Sequence, residues 1–210
     1  MTIPPGSVAD LFERALLKGS GPFALLTAQD NKEFEAAFDA WLEHAVNHLE
    51  ANKKNFMPLD EEGLSAVLAA ALSAAPFITA TQETNSNGHV DLTIEVGFVA
   101  PLRRKLGEAK IYNGPAYHFE GLDQLLGRYT TGREGRGILV VYVRKPNVAG
   151  LMKKLRDAMD NDLPHQQKGA SKDHLLKWSF VSLHSHSCGE DLEVGHVGCN
   201  LYVDENQENS

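Results

Sequence analysis

Cysteine is scarce: the 210 residues contain two, Cys188 and Cys199. That excludes a disulfide-stapled scaffold and fits a reducing compartment. Long apolar runs are missing too. The nearest to one, residues 64–77, is alanine-rich and too short to span a bilayer, so it is expected as a buried helix. Residues 1–6 hold neither a basic region nor an apolar signal core, so the expected location is cytoplasmic, with no membrane partner. A cationic excess is also absent. The formal net charge of −8 argues against indiscriminate electrostatic adhesion to nucleic acid over the whole surface. A local basic groove remains open, because Arg103-Arg104-Lys105 and Arg128, Arg133, Arg136, Arg144 and Lys145 gather in the middle of the chain.

What is present points to a folded domain. Hydrophobic residues make up 42% and charged residues 23%, and the length suits one core with an elaboration. Ser7 can cap a short helix through Leu17, which Gly19-Ser20-Gly21-Pro22 ends. From Asp30 to about Asn52, Phe34, Phe38, Trp41, Leu42, Ala45 and Leu49 recur at helical spacing. A third helix runs from Asp60 through Leu64, Val67, Leu68, Ala71 and Leu72 to Ala75, where Pro76 stops it.

The pattern then changes to strands. Phe77 to Gln82, His89 to Val96 and Leu106 to Tyr112 read as three strands, with a turn at Thr84 to Gly88. Asn113-Gly114-Pro115 reads as a loop that also holds Tyr117 and His118, and Glu120 to Tyr129 as a helix. Ile138 to Val143 is a continuous apolar run, as expected of a strand covered on both faces. Leu151 to Met159 reads as helix, and Trp178 to Leu183 and Val194 to Val203 as late strands, a candidate hairpin. The expected fold class is α/β, a mixed sheet flanked by helices. Residues 1–56 form its N-terminal helical elaboration, residues 57–203 the core with the late strands, and residues 204–210 a polar tail expected to be disordered.

Three residues carry the chemistry. Asp91 lies in Gly88-His89-Val90-Asp91-Leu92-Thr93-Ile94, and Glu108 and Lys110 lie in Leu106-Gly107-Glu108-Ala109-Lys110-Ile111-Tyr112. Each is a polar position in an otherwise apolar strand. Glu108 and Lys110, two apart, share a face. Mg²⁺ prefers oxygen ligands and keeps several waters, so Asp91, Glu108 and the carbonyl of Ala109 suffice to hold it. Lys110 can then hold or deprotonate an attacking water, or neutralise charge on a phosphate. A solvated polar face with a cross-strand ion pair is the plainer account of the same residues.

From about Asp60 to Val143 the chain resembles the core of the PD-(D/E)XK nuclease superfamily, the restriction-endonuclease-like fold. The shared pattern is helix, three strands, helix, strand, with an aspartate on the second strand and Glu-x-Lys on the third. Asp91 and Glu108-Ala109-Lys110 stand at those positions, with Val90 in place of the usual proline. The resemblance implies hydrolysis of phosphodiester bonds with Mg²⁺ or Mn²⁺, in DNA ahead of RNA, and by analogy a defence or restriction setting. It also implies a metal-holding glutamate on the first core helix, where helical phase favours Glu61 over Glu62. Some branches carry a glutamine and a tyrosine four apart on the following helix. Here Gln124 would orient water or a phosphate, Arg128 stands four residues later and Tyr129 five. Arg103, Arg104, Arg133 and Arg136 are further candidate phosphate contacts, as are Arg128 and Tyr129. Pairing of subunits is common in the family, so a homodimer or a partner protein is expected. A non-catalytic nucleic-acid-binding or assembly subunit of the same fold, and a hydrolase of free nucleotides, are the rival readings.

His184, His186, Cys188, His196 and Cys199 fall close together. Their spacing matches no standard zinc ribbon or finger, so a polar hairpin with free thiols is expected rather than a structural Zn²⁺ site.

Overall fold

Aspartates open both long helices of the N-terminal part. Asp30 caps α2 (Asn31–Ala51) and Asp60 caps α4 (Glu61–Leu72), each carboxylate accepting the N–H three residues on, from Glu33 at 2.8 Å and from Gly63 at 2.9 Å. Before them stands α1 (Gly21–Thr27), and between them the single turn α3 (Lys53–Phe56). The computed structural model describes residues 4–10, 13, 21–75, 77–85, 88–97, 103–133 and 135–204. Ser7 Oγ accepts the Asp10 N–H at 3.2 Å, as a cap does. The rest of the first expected helix, Pro76 and residues 205–210 of the expected tail lie outside the described residues. The helix α1 begins where the Gly19–Pro22 stretch was expected only to end one. A proline is tolerated in the first helical turn, where its missing N–H costs nothing.

Among the described residues seven strands form one mixed sheet: β1 (Ile78–Asn85), β2 (Gly88–Val96), β3 (Arg103–Ile111), β4 (Gly137–Val143), β5 (Lys172–Asp173), β6 (Phe180–Ser185) and β7 (Asp191–Asn200). Their order is β1-β2-β3-β4-β7-β6-β5. The β3–β4 and β4–β7 pairs are parallel and the others antiparallel. All of β4 is buried, as its unbroken apolar run requires at the centre of a covered sheet. The late strands β6 and β7 do pair as a hairpin.

Two longer helices among the described residues cover the second face of the sheet. The first, α5 (Pro115–Gln124), starts five residues earlier than the apolar spacing suggests. Gly114 at φ 92° turns the chain, and Pro115 takes the first helical position, where its fixed φ suits a helix start. Tyr117 and His118 are therefore helical rather than in a loop. A wide turn, Leu125–Tyr129, follows, closed by the Thr130 N–H on the Leu125 carbonyl at 3.2 Å. The second, α6 (Val148–Asp162), covers the same face.

Apolar side chains sort onto the two faces. Leu92, Ile94, Ala109, Ile138, Val140 and Tyr142 meet the stripe of α2 and the inner face of α4. Leu106, Leu139, Val141 and Val143 meet α5 and α6 on the other side. The N-terminal helices thus share the sheet's core, with Trp41 Nε1 donating to the Leu72 carbonyl at 2.9 Å. Among the described residues no helix is long and apolar enough to cross a membrane.

Candidate active site at the parting of two strands

The β2–β3 ladder runs from Val96↔Arg103 to Leu92↔Gly107 and stops there. Beside the last rung β1 and β2 shift register between Thr81 and Glu83, and Asp91 lies close enough to Glu108 for its charge to act on that carboxyl. Beyond that rung the N–H groups of β3 on this edge find carboxylates instead of β2. Asp91 Oδ2 accepts from Ala109 N at 3.0 Å, and Glu61 Oε2 accepts from Ile111 N at 2.7 Å. A strand residue presents its N–H and C=O to the same neighbour, so the Ala109 carbonyl faces this gap too.

Lys110 ties the group together. Its Nζ lies 2.6 Å from Glu108 Oε1 and 3.2 Å from Glu61 Oε1. The Tyr117 hydroxyl stands 3.4 and 3.5 Å from the two Glu61 oxygens, and its ring centre is 5.6 Å from Lys110 Nζ. Gly121 on α5 leaves room for the lysine stem: a Cβ there would meet Lys110 Cγ at 3.0 Å. A depression of about 280 Å³ lined by Asp60, Glu61, Glu62 and Asp91 opens the group to the outside.

The electrostatics follow from burial. The Glu108 side chain is 3% exposed. Burial, then the neighbouring Asp91 charge, push its carboxyl up to about 8, against the pull of Lys110. Burial works against the Lys110 charge, but the hydrogen bond and charge of Glu108, then Glu61, outweigh it and hold the ammonium well above its ordinary range. Glu108 Oε2 is buried with no hydrogen-bond partner among the described residues. An orphaned carboxylate oxygen is costly unless something binds it.

These residues fit a hard divalent cation. With all groups ionised, three carboxylates and one ammonium leave a formal excess of two negative charges, and the donors are oxygens. Among the described residues, no three acidic, histidine or cysteine side chains already stand at ion-holding distances from one another. The Lys110 ammonium stands between Glu61 and Glu108 instead.

Gln124 is not brought to this group by any described contact. It lines a second depression, of about 440 Å³, with Ala116, Phe119, Glu120, Asp123 and His165. The side chains of Arg128 and Tyr129 lie outside the described residues.

The arginines expected to touch phosphate are largely occupied by their own chain. The Arg136 guanidinium pairs with Asp39 and, at 3.3 Å, with Glu35, and is 11% exposed. Arg103 lies 4.5 Å over the Phe34 ring and donates to Asn31 Oδ1 at 3.2 Å, and Arg104 pairs with Glu95 at 3.7 Å. Arg144 donates to the carbonyls of Phe56 and Leu59. Lys105, 1% exposed, is pinned to Glu35 at 2.6 Å and the Arg136 carbonyl at 2.8 Å. The basic tripeptide begins five residues before Glu108, about 16 Å along the strand. Arg133, by contrast, is exposed. The sequence showed the charges but not the acidic face of α2 that absorbs them.

His118, expected in a loop, is buried. Its Nε2 meets His196 Nδ1 at 2.8 Å, and Ser182 Oγ bridges His196 Nε2 and His184 Nε2 at 2.7 Å each. His186 instead meets Thr130 Oγ1 at 3.1 Å, and Cys199 is buried on the opposite face of the sheet. His184 and His196 thus join His118 through Ser182, whereas His186 and Cys188 lie together beside Thr130. The site residues missed in the sequence are Tyr117 and Gly121. Their signal was the Gly-Pro helix start, which puts both on the turns facing Lys110.

The chain matches no family model, no curated protein and no solved structure.

Proposed function

We propose that the protein is a metal-dependent nuclease that hydrolyses phosphodiester bonds, with DNA ahead of RNA as substrate and defence against foreign DNA as its setting. The observation that carries this reading is the convergence of Glu61, Asp91 and Glu108 around Lys110 where β2 parts from β3. The resemblance to the restriction-endonuclease-like fold is supported by the element order α4, β1, β2, β3, α5, β4, with Asp91 on the second strand and Glu108-x-Lys110 on the third.

Glu61, Asp91, Glu108 and the Ala109 carbonyl would hold Mg²⁺ or Mn²⁺. When bound, such an ion acidifies water and offsets phosphate charge. Lys110 stays protonated, so it serves as hydrogen-bond donor and charge neutraliser rather than as a base. Tyr117 braces Glu61. The mixed sheet leaves Arg133 as the exposed candidate for a phosphate contact, and a homodimer mate or partner protein would supply further grip.

The test is a substrate panel of plasmid, single-stranded DNA, RNA and free nucleotides with Mg²⁺, Mn²⁺ or EDTA, beside Asp91→Ala and Lys110→Ala. Cleavage that needs the ion and both residues supports the reading. A folded wild type with no ion-dependent cleavage of any substrate defeats it.

A further inference from the structure

We infer that Lys110 is the resident counter-ion of this site, and that a divalent cation enters by displacing its ammonium from Glu108 and Glu61. This deepens the nuclease reading and rests on it. Lys110 Nζ already occupies the space between Glu108 Oε1, at 2.6 Å, and Glu61 Oε1, at 3.2 Å. A divalent ion bound to those oxygens lies within a few ångströms of Nζ. Two cations that close in a poorly solvated site repel strongly, so both cannot keep the same oxygens.

The surroundings provide for an ordered exchange. Glu108 Oε2, buried and without a hydrogen-bond partner among the described residues, offers an incoming ion a first foothold. The lysine stem is held by the absence of a side chain at Gly121, where a Cβ would touch both Lys110 Cγ and Cε. The amine can therefore pivot at its end without the stem leaving its groove. The Tyr117 ring, centred 5.6 Å from Nζ, gives the released ammonium a face to rest on. Ion entry and presentation of the amine to substrate are thereby one event. Until an ion arrives, the lysine ammonium matches part of the acidic charge from within.

Calorimetric titration of Mn²⁺ into wild type, Lys110→Met, Lys110→Arg and Asp91→Ala tests this. Removing the charge while keeping the stem should tighten binding by about tenfold or more, a factor equal to one decade in the dissociation constant. Lys110→Arg should bind no tighter than wild type, and Asp91→Ala should bind far more weakly. Equal or weaker binding by folded Lys110→Met overturns the displacement while leaving the ion site standing. Absence of binding in both wild type and Lys110→Met overturns the site itself. Should Lys110→Met not fold, wild type alone decides by nitrogen-15 NMR of the lysine side chains. The slowly exchanging Lys110 ammonium signal should vanish as Mg²⁺ saturates, and its persistence would refute the idea.

Discussion

Lys110 and Glu108, on one face of the same strand, meet at 2.6 Å between Nζ and Oε1 under the cover of α5. Two residues along a strand place both side chains on one side of the sheet, and Asp91 lies close enough for its charge to raise the Glu108 carboxyl. Asp91 and Glu61 in turn accept from the backbone of the strand that carries Glu108 and Lys110.

The pair makes stability fall as pH rises. Burial lifts the folded Glu108 carboxyl to about 8 from an ordinary 4.5, so the folded chain binds more protons than the unfolded chain between those values. Its contribution is fully present below 4.5 and lost as pH climbs through about 8. Urea titrations in EDTA at pH 5 and pH 8.5 should show a larger drop for wild type than for Glu108→Gln, whose amide does not ionise. Equal drops would place the titration elsewhere.

Gly121→Ala should separate stability from activity. Alanine favours a helix interior over glycine by roughly 0.5–1 kcal/mol. Its Cβ would meet Lys110 Cγ at 3.0 Å and Leu139 Cδ1 at 3.2 Å, so the lysine stem must shift by a few tenths of an ångström. The expected result is a stability within about 1 kcal/mol of wild type and cleavage reduced by about tenfold, since a small misplacement of a reacting group is expensive. Unchanged cleavage with both folded would mean that the fit of Gly121 against Lys110 does not matter.

Much of this was legible in the chain. The apolar period separated helices from strands, Asp30 and Asp60 marked helix starts, and the polar positions of β2 and β3 marked Asp91, Glu108 and Lys110. What periodicity cannot report is where a long side chain ends. Arg136 and Lys105 read as free cations because Glu35 and Asp39 lie far off in sequence. Tyr117 read as a loop residue because Pro115 looked like a breaker rather than a first helical residue. Such misreadings are long-range by nature, since the partner sits on another element.

Arg136→Leu should cost stability rather than recognition. Its guanidinium joins Glu35 and Asp39, and Asp39 also faces the His174 imidazole at 3.4 Å. Breaking one side of a buried ion pair costs about 3–5 kcal/mol because a charge is left unmatched. The urea midpoint should fall accordingly, while the nucleic-acid affinity of the remaining folded fraction and its salt dependence stay as in wild type. A shallower salt slope at full stability would return Arg136 to the phosphate contacts.

The buried histidines set the acid limit. His184 Nδ1 faces the His165 carbonyl at 3.1 Å and must donate to it. Its Nε2 then accepts from Ser182, Ser182 accepts from His196 Nε2–H, and His196 Nδ1 accepts from His118 Nε2–H. The row ends on His118 Nδ1, buried without a partner among the described residues. Every imidazole in it is neutral, and a proton added anywhere finds no acceptor. Burial lowers His118 to about 3 and His184 to about 4 from 6.5. The unfolded chain therefore binds more protons below 6.5, and stability present above that pH is lost as pH falls towards 4. Urea titrations at pH 7, 5.5 and 4.5 should show that loss. His118→Leu, which removes one group that must stay neutral, should make it shallower. A slope no smaller in the folded variant would show that the row takes up protons without cost, and that acid attacks the fold somewhere else.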